Sequence, residues 1–186
     1  YGVSAPAWDM HAYIIAPILQ SFCSNEQKRN WLPKMVSGEW IAAIGLTEPG
    51  GGSDLKELKT NAKEDGDDYI INGAKTFITN GHIADHVLLA TKTDPSQGAR
   101  GISMFWVDLS SPGVARGKNL KKIGNKAQDT AELFFENVRV PAANMVGALN
   151  QGWALLMHGL AQERLVVAVR SMVIAEAAVD QTIEYT

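Results

Sequence analysis

The chain has 186 residues and a formal net charge of −3; 46% of the residues are hydrophobic and 20% are charged. This balance is ordinary for a globular protein, and the length allows one or two domains with a buried core. Scattered Lys and Arg residues give no basic stripe, so nucleic acid is not an expected partner. The single Cys23 excludes an intrachain disulfide and a cysteine-based zinc site.

Two further classes of protein are not expected from the sequence. No apolar run reaches the roughly 18 residues of a membrane span, and the 4 histidines lack metal-ligand spacing, so we expect neither a span nor a metal site. The chain starts at Tyr1 rather than Met, and its last residues still have a helical pattern. We therefore expect a piece of a longer protein.

Residues 1–39 are predicted to be helical, as the end of an N-terminal helical domain. Ser24 followed by Gln27 has the spacing of a capping box, in which the serine oxygen accepts from the first turn and the glutamine reaches back. Gly38 is a natural end for the helix that begins there.

Residues 40–141 have the pattern of strands. Apolar or alternating runs occupy 40–46, 69–71, 76–79, 86–90, 102–107 and 132–138. Asn72 and Gly73, between the second and third runs, tolerate positive φ and predict a hairpin turn. Because no long helical period separates the runs, we predict a central antiparallel, barrel-like β-domain flanked by helices, an α+β fold, and not a Rossmann unit.

Residues 142–186 are predicted to begin a second helical domain, with a helix starting near Gly152. At about 100° per residue, its apolar stripe collects Trp153, Leu156, Leu160, Val167, Ser171, Ile174 and Ala178. Glu163 and Arg164 straddle this stripe.

The first candidate site runs from Thr47 to Asp54 and includes Gly50, Gly51 and Gly52. Consecutive glycines let backbone N–H groups approach a ligand or cradle an anion, and the hydroxyls of Thr47 and Ser53 add donors. A flexible turn between strands explains the same residues equally well. No Gly-Lys-Ser/Thr follows, which disfavours a P-loop.

The second candidate is the segment from Phe77 to Gly81. An aromatic ring and a hydroxyl two residues apart, at Phe77 and Thr79, face the same side of a strand and could hold a flat heteroaromatic ring. An ordinary core strand ending in an Asn-Gly turn is the alternative. Farther along the chain, the Lys121–Lys122 pair is interpreted as a solvated turn.

The third candidate is Gln162-Glu163-Arg164. An ionised carboxylate on an apolar helix face is costly unless it is paired or used in function. Glu163 is therefore either the partner of Arg164 in a structural ion pair or a general base whose pKa is raised by burial. In the second case, Arg164 is left to partner an anionic group.

These segments together resemble the acyl-CoA dehydrogenase family over the full chain. The motifs that carry the resemblance are, in order, Ile44-Gly45-Leu46-Thr47-Glu48-Pro49-Gly50-Gly51-Gly52-Ser53-Asp54, Tyr69-Ile70-Ile71-Asn72-Gly73, Phe77-Ile78-Thr79-Asn80-Gly81, Lys126-Ala127-Gln128-Asp129-Thr130 and Phe134-Phe135-Glu136-Asn137-Val138-Arg139-Val140-Pro141.

The resemblance implies a flavoprotein of fatty acid β-oxidation, a homotetramer when complete. Its FAD would be bound by Ile44, Gly45, Leu46, Thr47, Glu48, Pro49, Gly50, Gly51, Gly52, Ser53, Phe77, Ile78 and Thr79. Acyl-CoA would contact Ser53, Glu163 and Arg164. Phe77 stands where relatives often have Trp.

Glu163 resembles the catalytic base of the long-chain and isovaleryl branch. The implied reaction is α,β-dehydrogenation of a medium-to-long acyl-CoA, with electrons passed to an electron-transfer flavoprotein. The implied compartment is the cytoplasm in a bacterium or the mitochondrial matrix in a eukaryote. Two alternatives stay open: a flavin oxidase that uses oxygen, and a non-catalytic acyl-CoA-binding relative.

Overall fold

A computed structural model of the chain describes residues 7–52 and 54–186. The helices within these residues are α1 (Ala7–Asp9), α2 (Ala16–Phe22), α3 (Asn25–Ser37) and α4 (Gly152–Tyr185), with a π-helical segment at Met10–Ile15. The strands are β1 (Ala42–Gly45), β2 (Asn61–Asp65), β3 (Asp68–Thr79), β4 (His86–Lys92), β5 (Ile102–Asp108), β6 (Val114–Arg116), β7 (Thr130–Pro141) and β8 (Met145–Val146).

The predicted capping box of α3 is confirmed. The Ser24 hydroxyl accepts from the Gln27 N–H at 3.1 Å, and the Gln27 side chain accepts from the Ser24 N–H at 2.8 Å. The same side chain donates to the carbonyls of Ala143 and Met145, which ties the helix start to the chain before α4. Gly38 ends the helix with φ 76°, a left-handed conformation that glycine adopts without steric cost.

The strands form one mixed sheet in the order β6-β7-β3-β2-β4-β5-β8, with β1 beside β4. The α+β class is confirmed, but the sheet is not wholly antiparallel, because β1 and β2 each pair with β4 in parallel. The β2–β3 hairpin lies between β1 and β4 in the chain, and this long connection lets β4 return parallel to β1. Within the described residues the sheet is not closed, since β6 and β8 end the order.

The hairpin turn predicted at Asn72-Gly73 is wrong. β3 runs without a break through both residues, and the pairing register with β7 shifts there, as at a β-bulge. Gly73 has φ 151°, and a Cβ on it would lie 2.4 Å from the Thr60 hydroxyl oxygen. The β2–β3 hairpin instead turns at Gly66, whose φ of 66° suits the first position of a type II′ turn.

Both faces of the sheet are covered. Every residue of β4 is buried, and side chains alternate between two clusters as the pleat requires. Leu88 packs with the N-terminal helices and the start of α4, whereas Val87 packs with the opposite face. On the helical side the Trp106 ring stacks on Trp31, with centroids 5.6 Å apart, and on His86 at 5.2 Å.

Helix α4 packs through a narrow stripe near its start, which is only in part the predicted one. The buried and half-buried residues are Gly152, Trp153, Leu155, Leu156, Gly159, Leu160, Glu163, Val166 and Arg170. Val167 and Ile174 are instead 60% and 57% exposed. The Arg170 guanidinium contacts the Asp9 carboxylate at 3.1 Å, and every later residue is exposed. Of the helices described, none combines the length and apolar character that a membrane crossing needs.

Candidate functional site

The glycine-rich loop leaves β1 as a tight turn. The N–H of Glu48 donates to the Gly51 carbonyl at 3.1 Å, and the N–H of Gly51 donates back to the Glu48 carbonyl at 3.0 Å. A Cβ built on Gly50 or Gly51 would meet nothing within 4 Å. The chain itself therefore does not fill the space beside these glycines, which leaves room for a ligand to approach their backbone.

A buried ion pair lies beneath this turn. Lys75 of β3 is fully buried, and its Nζ donates to Glu48 Oε1 at 2.8 Å and to the Leu46 carbonyl at 3.2 Å. Glu48 also accepts from the N–H groups of Lys59 and Thr60. The start of the turn is therefore fixed to β3 and to the segment before β2.

The pKa values of this pair follow from burial and contact. Burial alone would raise the pKa of Glu48, but the hydrogen bonds that it accepts and the charge of Lys75 hold that pKa below its ordinary value. Burial lowers the pKa of Lys75 to about 8, although Glu48 opposes the change. Because the Glu48 carboxylate is used within the chain, only its backbone is left for a cofactor.

Strand β3 brings the first two candidate segments together. The Thr76 N–H donates to the Thr47 carbonyl at 2.9 Å, and the Thr47 hydroxyl makes no hydrogen bond to the described residues. Next along the strand, Phe77 is 67% exposed and has φ 57° at a second bulge. A bulky residue rarely adopts this conformation, which costs about 1–3 kcal/mol and occurs most often at functional sites.

Phe77, Ile78 and Thr79 alternate between surface and core. Ile78 is buried at 2% exposure in the second core cluster, so its side chain does not face a ligand. Thr79 is half-buried, and its hydroxyl oxygen accepts from Gln128 Nε2 at 2.8 Å. The exposed ring and the hydroxyl are therefore available on the side of the strand away from the core.

The remaining predicted loop residues have differing surroundings. Ile44 packs against the helical-side core, and Gly45 is required for packing, because a Cβ there would come within 2.9 Å of Leu89. Pro49 and Gly52 are exposed. Ser53, predicted to contact both cofactor and substrate, lies outside the described residues.

Glu163 faces a small cavity between α4 and the first helices. Its half-buried carboxylate lies back over Gly159, where a Cβ would come within 3.2 Å of Oε1. The cavity, of about 70 Å³, is also lined by Tyr13, Pro17 and Ser21. Burial raises the pKa of Glu163 above its ordinary value, which makes the carboxylate a stronger base.

Arg164 does not share this environment. It is exposed, and no ion pair joins it to Glu163 among the contacts of the described residues. The structural Glu163–Arg164 pair is therefore not present here. The glycine-rich loop contributes no residue to the lining of the Glu163 cavity, so this cavity does not join the third candidate segment to the first two.

Sequence reasoning missed three residues near the site. Lysine is usually exposed, so Lys75 was not expected in the core. The only sign of its burial in the sequence is its position inside an apolar strand. Lys122 is not in a simply solvated turn, because its Nζ donates to the Gln128 carbonyl and, at 2.7 Å, to the Thr130 hydroxyl. Gln128 itself gives no sequence signal beyond its motif. No cluster of metal-ligating side chains occurs in residues 7–52 and 54–186.

Comparison with known proteins covers nearly the whole chain. Residues 43–138 match the model for the acyl-CoA dehydrogenase middle domain, and residues 1–39 and 150–186 match its N-terminal and C-terminal domains. The long-chain specific acyl-CoA dehydrogenase of Sus scrofa mitochondria is 44% identical over 98% of this chain and 43% of its own length. The isovaleryl-CoA dehydrogenase of Pongo abelii is 44% identical over 86% of this chain and 38% of its own.

A solved structure gives the same result. The crystal structure of an acyl-CoA dehydrogenase from Geobacillus kaustophilus superposes with a TM-score of 0.91 at 50% identity, covering 94% of this chain and 47% of that one. The chain thus spans less than half the length of these relatives. On the matched domains and the shared fold, the chain belongs to the acyl-CoA dehydrogenase family.

Proposed function

We propose that the full-length protein catalyses FAD-dependent α,β-dehydrogenation of a medium- or long-chain acyl-CoA thioester. The product is the trans-2-enoyl-CoA, and the electrons pass to an electron-transfer flavoprotein. The single observation that carries this proposal is the half-buried Glu163 carboxylate, which faces a cavity between two helical segments without a cationic partner among the described residues.

Glu163 is proposed to remove the α-proton of the thioester. A general base works best when its pKa lies near the working pH, and burial moves the pKa of Glu163 in that direction. Gly159 leaves space for the carboxylate beside the cavity. Arg164, which is exposed, is proposed to contact an anionic part of the acyl-CoA, with Ser53 as a second substrate contact.

The residues of the loop and of β3 fit an FAD. The unfilled space beside Gly50 and Gly51 suits a close backbone contact, and the Thr47 hydroxyl, which makes no hydrogen bond to the described residues, can reach a ring atom. The exposed Phe77 ring can cover one face of a flat heterocycle, with Thr79 beside it. When bound, FAD supplies the redox chemistry by accepting the β-hydrogen as hydride.

The remaining parts of the proposal rest on the relatives. The names of the pig and orangutan enzymes indicate long-chain and isovaleryl-CoA substrates, and they support an acyl-CoA thioester here. We propose a medium or long chain, an electron-transfer flavoprotein as acceptor and a homotetramer for the full-length protein. Flavin bleaching across a ladder of acyl-CoA lengths, and turnover with oxygen alone, test the first two.

The test of Glu163 is Glu163→Gln in the full-length protein, which keeps the shape of the side chain but removes the base. We expect the variant to bind FAD and acyl-CoA and to reduce its flavin at least about a hundredfold more slowly. Glu64→Gln is the matched control, because Glu64 is an exposed glutamate on β2 that does not line the cavity. Near-normal flavin reduction by Glu163→Gln, measured anaerobically by stopped flow, would contradict the assignment.

A further inference from the structure

The end of β3 is held by a side chain from the segment that precedes β7. Gln128 Nε2 donates to Thr79 Oγ1 at 2.8 Å, and both residues are half-buried. The segment around Gln128 is fixed from two sides. Lys122 Nζ donates to the Gln128 carbonyl, and Asp129 Oδ2 accepts from the His82 N–H at 2.7 Å. The position of Gln128 is therefore set by neighbours on both sides.

The hydrogen bond from Gln128 determines whether the Thr79 hydroxyl can donate or accept a further hydrogen bond. A threonine hydroxyl has one proton to donate and two lone pairs that accept. One lone pair is occupied by the Gln128 amide, whose N–H cannot accept. The hydroxyl proton has no acceptor among the described residues. Thr79 lies two residues along β3 from the exposed Phe77, at the predicted flavin contact. The proton is thus left for a partner outside the described residues.

We propose that Gln128 is a positioning residue that makes Thr79 a hydrogen-bond donor to the flavin. This inference rests on the proposed function, because it requires a flavin at Phe77 and Thr79. A hydrogen bond donated to the ring system favours the electron-rich reduced form and so raises the reduction potential of the flavin. Gln128 would then tune the flavin without touching it.

The decisive variant is Gln128→Glu in the full-length protein. The ionised carboxylate has the shape of the amide but only accepts hydrogen bonds, so the Thr79 proton turns toward it and away from the flavin. We expect a shifted visible flavin spectrum, a lower midpoint potential and flavin reduction by acyl-CoA about three- to tenfold slower, with FAD still bound. The matched control is Gln151→Glu, the same change at an exposed residue without a side-chain cap bond.

Two further variants, Thr79→Val and the double variant Thr79→Val/Gln128→Glu, distinguish a wrong role for Gln128 from a wrong flavin contact. If Gln128 acts through Thr79, the double variant matches Thr79→Val alone, because the coupled effects do not add. If Thr79→Val changes the spectrum and potential but Gln128→Glu does not, or if the two effects add, the role of Gln128 is overturned while the flavin site stands. If Thr79→Val changes nothing, the flavin contact itself is wrong.

If Gln128→Glu no longer binds FAD, a second variant, Gln128→Met, still tests the inference. Gln128→Met has a similar length but cannot donate, so Thr79 keeps its proton without being held in one orientation. We expect a smaller shift of spectrum and potential in the same direction. A spectrum and potential identical to those of the parent protein would overturn the inference.

Discussion

At the scale of the residue, Glu163 shows how far a helical pattern predicts a site. The sequence places this carboxylate on a packed helix face, and the structure confirms that it is half-buried while the adjacent Arg164 is exposed. Residues next to each other on a helix are about 100° apart, so only one of the two can face the cavity. The sequence alone could not tell which of Glu163 and Arg164 faces the cavity. The predicted stripe contains Val167, whereas the structure packs Val166 instead.

The pH dependence of flavin reduction is the prediction at this scale. The base must be ionised, and burial raises the pKa of Glu163 above its ordinary value of 4.5. The rate in the full-length protein should therefore fall as the pH drops through this raised pKa, and Glu163→Gln should remove that limb. Single-turnover rates from pH 5 to 9 measure the effect. A low-pH limb that is unchanged in Glu163→Gln would show that Glu163 does not control the step.

The contribution of Glu163 to the stability of the fold changes with pH in the opposite direction to the rate. A carboxylate with a raised folded-state pKa makes the folded state bind more protons, so its contribution to stability is present at low pH and is lost as the pH rises through that pKa. At neutral pH an ionised Glu163 thus lowers the free energy of unfolding. We interpret this as stability given up for a functional group.

At the scale of the element, the strand prediction succeeded where burial is continuous and failed where local chemistry is ambiguous. Strand β4 is buried throughout and β5 is buried at all but its last residue, and the predicted runs lie within two residues of the observed ends of both strands. Asn-Gly sequences suit a turn and a bulge alike, since both need unusual backbone angles. The backbone of Gly73 approaches Thr60 so closely that a side chain would not fit. This contact is with a residue outside the Asn-Gly sequence, so the local pattern could not predict the bulge. β2 was missed because only Ala62 of its five residues is buried.

The Lys75–Glu48 pair gives a prediction for the element that supports the glycine-rich loop. Removing one partner of a buried ion pair leaves the other uncompensated and costs about 3–5 kcal/mol. We expect Lys75→Met to lower the stability of the full-length protein by this amount and to weaken FAD binding, because the turn at Glu48 loses its attachment to β3. Urea denaturation and flavin titration measure the two effects.

Glu48→Gln is the comparison for this prediction. It keeps an acceptor for the N–H groups of Lys59 or Thr60, and burial already holds the pKa of Lys75 down at about 8. An unpaired Lys75 can therefore lose its proton at little cost, and the loss of stability should be smaller than for Lys75→Met. Equal losses, or a cost below about 1 kcal/mol for Lys75→Met, would show that the pair does not hold the loop.

At the scale of the whole molecule, the second half of α4 has no packing partner among the residues that the structure describes. Every residue after Arg170 is exposed, including Met172 at 73%, Ile174 at 57% and Ile183 at 68%. The apolar pattern there predicts a packed stripe, but in the described part of the chain nothing covers it. Contiguous apolar surface of this kind promotes association in water.

We therefore expect the 186-residue chain by itself to aggregate and to bind FAD weakly or not at all. Ending the chain after Arg170 removes the exposed half of α4 but keeps the Arg170–Asp9 contact. This shorter chain should stay monomeric at higher concentration while its unfolding temperature is nearly unchanged, because the sheet and both core clusters are intact. Light scattering and thermal unfolding of the two chains test this. A yellow, monodisperse 186-residue protein whose flavin is reduced by acyl-CoA would show that the chain completes the site without further partners.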